Sequence, residues 1–99
     1  MNVVKRLEGS ELFVEIEGNI DTVTAPDLNA SLNESINGVT SIFFDFKKVD
    51  YISSAGLRVL LVAVKAMPKD GKVVIRNANN NVMDIFTMTG FVNILTIEN

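Results

Sequence analysis

Ninety-nine residues, 47% apolar and 21% charged, suffice for one small cored domain and leave too few charges for long disordered tails. The net charge is −3 and no Lys/Arg cluster exceeds Lys47-Lys48, which argues against a nucleic-acid or anionic-membrane surface. Cysteine and histidine are absent, which excludes disulfides, thiol nucleophiles, Ser-His triads and nearly all zinc sites. Met1 to Arg6 show no basic-then-apolar signal pattern, and the apolar run Val59 to Val64 is too short to span a bilayer. The expectation is one soluble, cytoplasmic domain over residues 1–99.

Val3 to Leu7, a Glu8-Gly9-Ser10-Glu11 turn and the partly alternating Leu12 to Glu17 read as a hairpin. Gly18 to Val23 is a loop in which Gly18 permits an unusual backbone angle. Thr24-Ala25-Pro26-Asp27 reads as a helix start with Thr24 as cap. Leu28, Leu32 and Ile36 recur every fourth residue and give one apolar stripe, which Gly38 ends.

Ser41 to Phe46 is nearly all apolar, as in a central strand buried on both faces. Leu57 to Met67 is helical and mostly buried, and Pro68 stops it. Lys72 to Arg76 is the next strand, Asn77 to Asn81 a loop with cap candidates, and Val82, Ile85 and Phe86 mark a third helix closed by Gly90. Phe91 to Ile97 reads as a last strand. The order is β-β-α-β-α-β-α-β. The fold class is therefore α/β, with part of the sheet parallel and right-handed crossovers. The methionines Met67, Met83 and Met88 read as core filler.

The chemistry concentrates in Asp50-Tyr51-Ile52-Ser53-Ser54-Ala55-Gly56-Leu57. A strand-to-helix junction sets a serine hydroxyl beside unpaired N–H groups, where the helix dipole favours negative charge. Ser54 is thus a phosphorylation site, a phosphate-ligand site or a helix cap. Asp21 is a turn residue or a contact residue, and Arg58 reads as a solvated charge or a partner contact. No glycine begins a GxxxxGK phosphate loop. No side chain supplies a base for a serine nucleophile, so a small hydrolase is a poor reading.

Four patches in order resemble the STAS domain, specifically the stand-alone anti-sigma factor antagonist. They are Gly18-Asn19-Ile20-Asp21 with Thr24-Ala25, Phe44 to Ile52, Ser53-Ser54-Ala55-Gly56-Leu57, and Phe86-Thr87-Met88-Thr89-Gly90-Phe91. The resemblance implies a STAS fold: a single mixed sheet of about four to five strands with helices mainly on one face. It implies a protein that is not an enzyme and that takes no cofactor and no metal. Such a protein binds an anti-sigma factor serine kinase and so releases sigma factor. Phosphorylation of the antagonist ends the binding, and a metal-dependent serine phosphatase restores it.

Alignment on Gly56-Leu57 makes Ser54 the phosphoacceptor, with Asp21, Thr22, Ser53, Ala55, Gly56 and Arg58 beside it as the partner surface. One position departs. Many members carry Asp before the acceptor, whereas here it is Ser53, whose hydroxyl is an alternative acceptor. The expected state is a monomer that binds neither nucleic acid nor membrane. The rival is an accessory STAS subunit of a membrane transport complex, without phospho-switching.

Overall fold

The computed structural model describes residues 1–98; Asn99, the last residue of the expected domain, lies outside them. Strands β1 (Asn2–Glu8) and β2 (Glu11–Glu17) form the expected antiparallel hairpin. Then follow α1 (Ala25–Ser35), β3 (Ser41–Lys48), α2 (Ser54–Ala66), β4 (Lys72–Arg76), α3 (Asn80–Thr89), a 3₁₀ turn (Phe91–Asn93) and β5 (Thr96–Glu98). The sheet runs β1-β2-β3-β4-β5, with every pair from β2 onward parallel.

The core lies on one face of the sheet. Leu12, Val14 and Ile16 of β2 and Ile42, Phe44 and Phe46 of β3 point into it, every second residue as the strand pleat requires. Leu28 and Leu32 of α1, Leu57, Leu60 and Ala63 of α2 and Val82 and Phe86 of α3 join the same cluster. The rings of Phe46 and Phe86 stand 6.2 Å apart, tying α3 to β3.

The central strand is therefore not buried on both faces, contrary to the reading of its apolar run. From Ser41 to Phe46, β3 alternates half-buried and buried positions. On its other face Phe43 stacks on Phe13 at 4.8 Å. Arg6 and Arg76 lie over these two rings, 4.7 and 4.9 Å from their centroids. Four side chains thus shield apolar surface that no helix covers, the arginine stems being apolar and their heads attracted to the ring faces.

Three further expectations are corrected. Phe91–Asn93 is a 3₁₀ turn, and only Thr96–Glu98 pairs with β4. Gly90 takes a left-handed φ of 80° that ends α3, and the N–H groups of Ile94 and Leu95 bond the Phe91 carbonyl, folding Leu95 into the core. Helix α1 ends at Ser35, and Gly38 belongs to the turn beyond it. Met67 and Met83 pack against the core, but Met88 is 84% exposed.

Candidate functional site

Three loops leave the carboxyl ends of the parallel strands β2, β3 and β4 and meet at one edge of the sheet, where open α/β sheets bind ligands. Short backbone bonds hold the first two together. The Gly18 N–H donates to the Lys48 carbonyl at 2.9 Å, Ile20 to Tyr51 at 3.0 Å, and Ser53 to Ile20 at 2.8 Å. Ile20 and Ile52 form a parallel bridge that extends the β2–β3 pairing past the strands proper. This pairing places Asp21 next to the Ser53-Ser54 turn. Both isoleucines are fully buried, so the two loops share one apolar floor.

The structure separates the two serines. Ser53 is the N-cap of α2: its backbone is extended, and its Oγ accepts from the Gly56 N–H over a long 3.5 Å. Ser54 is the first helical residue and is exposed. The cap assigned to Ser54 as an alternative thus belongs to its neighbour, and the Ser54 hydroxyl is free of that task. The departure from Asp at this position also gains a physical reason. Asp and Ser are both favoured N-caps because either presents an oxygen to the first free N–H groups.

Gly56, expected on the contact surface, is buried beneath it. A Cβ built there would lie 2.6 Å from Ile52 Cγ1 and 2.7 Å from Ile20 Cγ2. The residue lets the first turn of α2 sit directly on the Ile20–Ile52 bridge, and so presents Ser54 and Ala55 at the surface rather than contributing to it.

Asp21, rather than Thr24, caps the turn that opens α1. Its Oδ1 accepts the N–H groups of Val23 and Thr24, each at 3.0 Å, and its carbonyl accepts that of Ala25 at 2.8 Å. Thr24 makes no side-chain cap bond; its Oγ1 lies 2.8 Å from the Asn19 carbonyl and accepts the Asp21 N–H at 2.9 Å. The Thr24 N–H holds the Asp21 carboxyl below its ordinary value, partial burial opposes this, and the Val23 N–H and Thr24 hydroxyl add to the lowering. Asp21 is therefore a fixed anion beside the serine turn at neutral pH.

Thr22 is exposed and lines a groove of about 340 Å³ between α1 and α2, with Pro26 and Asn29 on one side and Ala55, Arg58 and Val62 on the other. Six of the seven expected contact residues thus cluster at one surface and Gly56 supports them from below.

Asn79 carries a role beyond the cap function its loop suggested. Its Oδ1 caps α3 through the Val82 N–H at 2.8 Å, while its Nδ2 donates to the carbonyls of Val49 and Asp50, each at 3.2 Å. It ties the start of α3 to the loop that delivers Ser53 and Ser54. Among the described residues no group of three or more His, Cys, Asp or Glu is placed to hold a metal ion. None of their helices is long and apolar enough to cross a membrane.

Fold and site together define an α/β module that presents a capped serine turn and a short interhelical groove at one sheet edge. The chain belongs to the STAS domain family, whose model matches residues 2–99. It is 31% identical over 90 residues to BtrV of Bordetella bronchiseptica, a candidate anti-sigma factor antagonist, covering 89% of this chain and 78% of that one. It is 28% identical over 99 residues to the anti-sigma-B factor antagonist of Bacillus subtilis, covering 99% and 91% of the two chains. Its fold matches the anti-sigma factor antagonist SpoIIAA, solved in its unphosphorylated form, with a TM-score of 0.85 at 16% identity over 99% of this chain and 89% of that one.

Proposed function

We propose that the protein is a cytoplasmic anti-sigma factor antagonist that binds an anti-sigma factor serine kinase, and that phosphorylation of Ser54 ends the binding. The observation that carries this reading is the division of labour between the serines. Ser53 holds the helix cap, and Ser54 stands exposed one residue later with its hydroxyl directed to no other task. Asp21, Thr22, Ala55 and Arg58 surround it as the contact surface. A phosphate there meets free N–H groups at a helix start, where anionic charge is tolerated. A metal-dependent serine phosphatase would reset the protein. The chain itself is a binding module in this reading and catalyses nothing.

The test combines the purified protein with each anti-sigma factor serine kinase of the same genome and ATP, then maps phosphate by mass spectrometry. Phosphate is expected on the wild type and on Ser53→Ala, and not on Ser54→Ala. Full incorporation into Ser54→Ala would move the acceptor to Ser53 or elsewhere.

A further inference from the structure

Arg58 stands apart from the other two arginines. Arg6 pairs with Glu8 at 2.6 Å and covers Phe13; Arg76 pairs with Glu98 at 2.9 Å and covers Phe43. Arg58 is exposed and, among the described residues, its side chain takes part in no hydrogen bond, ion pair or ring contact. It lies four residues after Ser54 in the same helix. Residues so spaced face the same side, about 5–6 Å apart at Cβ. Helical side chains lean toward the N-terminus, so the guanidinium of Arg58 is within reach of a group on Ser54.

Resting on the Ser54 reading, we propose that a phosphate on Ser54 is captured by Arg58 within α2, which withdraws this cation from the mouth of the α1–α2 groove. The guanidinium is a planar fork suited to two phosphate oxygens at once. The order of the pair, anion nearer the helix start and cation one turn later, is the favourable one. Little competes for the cation. Helix α2 contains no acidic residue, and its other cation, Lys65, is seven residues further on. The facing helix bears Asp27 and Glu34, neither of which lines the groove, and Glu34 faces Lys5 at 3.4 Å. The Asp21 carboxylate is committed to the N–H groups of Val23 and Thr24, and Asp50 lies in the loop before the cap. Unphosphorylated, Arg58 is the charged member of an otherwise mostly apolar groove lining; phosphorylated, its charge is turned inward and neutralised. The modification then changes two features of the surface, adding an anion and removing a cation.

The experiment needs neither kinase nor partner. Phosphoserine is installed at position 54 during translation by amber suppression, and the phosphate is titrated by ³¹P NMR in the wild type, Arg58→Gln and Arg58→Lys backgrounds. The second phosphate ionisation falls near pH 6, where the Asp21 carboxyl is already ionised and contributes equally to all three. The helix N–H groups also act equally on all three. The wild type is expected to ionise at a pH lower by about 0.3 unit or more than Arg58→Gln, the size of a helical ion pair, with Arg58→Lys between them. The gap should narrow in ~1 M salt, as an exposed pair requires. Coincident titrations of the wild type and Arg58→Gln would overturn the capture while leaving Ser54 free to be the acceptor. A kinase that ignores Ser54 would instead overturn the proposed function and leave this titration readable.

Discussion

Gly56 shows how one missing Cβ shapes the site. The atoms it would strike, Ile52 Cγ1 and Ile20 Cγ2, belong to fully buried side chains under the two loops, so they have little room to move. Gly56→Ala should therefore destabilise the protein despite the better helix propensity of alanine, by about 1–3 kcal/mol as overpacked sites do. A urea titration checks this, and an unchanged or raised midpoint would show that the first turn of α2 has slack. Asp21 makes a second prediction at this scale. Its folded carboxyl titrates below the ordinary 3.8, so the unfolded chain binds the proton more readily. Its contribution is thus fully present above that value and is lost as pH falls through the lower folded one. The wild type should exceed Asp21→Asn in urea midpoint at pH 7, and the difference should shrink near pH 2.5, below the ordinary carboxylate range. A difference independent of pH would mean that the charge adds nothing to the turn.

At the scale of elements, the site depends on how the loops after β2, β3 and β4 are fastened to one another. The β2 and β3 loops are joined by backbone bonds, which no side-chain change removes. The β4 loop is fastened by Asn79, which serves α3 and the Val49-Asp50 carbonyls together. Asn79→Ala should lower stability by about 0.5–2 kcal/mol, the usual cost of a lost cap. It should also speed amide exchange in residues 49–54, which an ordinary cap loss at α3 would leave untouched. Protection unchanged in that loop would reduce Asn79 to a cap alone. The open sheet face illustrates the opposite arrangement. Arg6, Phe13, Phe43 and Arg76 come from four strands and cover the rings without any helix.

For the whole molecule, the proposed phosphate on Ser54 would act locally. It adds about −1.5 to −2 charge on an exposed residue outside the core cluster. At the start of α2 that charge is neutral to favourable for the fold, by about 0.3–1 kcal/mol. Fully Ser54-phosphorylated protein should therefore keep the native circular dichroism spectrum while losing calorimetric affinity for the anti-sigma kinase. Ser54→Asp, smaller and singly charged, should lose part of that affinity, and Ser54→Ala should bind and not switch. A native spectrum lost on phosphorylation would make unfolding the switch; tight binding by the phosphoprotein would remove the switch altogether.

Apolar spacing and turn residues determined the elements and their order, because helix and strand periodicity, Pro68 and Gly90 act within a few residues. The Ser-Ser-Ala-Gly-Leu junction was legible for the same reason, being one strand end followed by one helix start. Tertiary structure decided what periodicity cannot express. Strand pairing set β3 at the boundary between a helix-covered face and an arginine-covered one, so a nearly continuous apolar run came to alternate in burial. The Leu95 anchor turned part of the expected last strand into a 3₁₀ turn. At the site, backbone geometry assigned the cap to Ser53, contact with Ile20, 36 residues away, placed Gly56 beneath the surface, and the β2–β3 bridge brought Asp21 to Ser54. Local rules see neighbours along the chain, whereas these assignments depend on residues some thirty positions apart that meet only when the sheet closes.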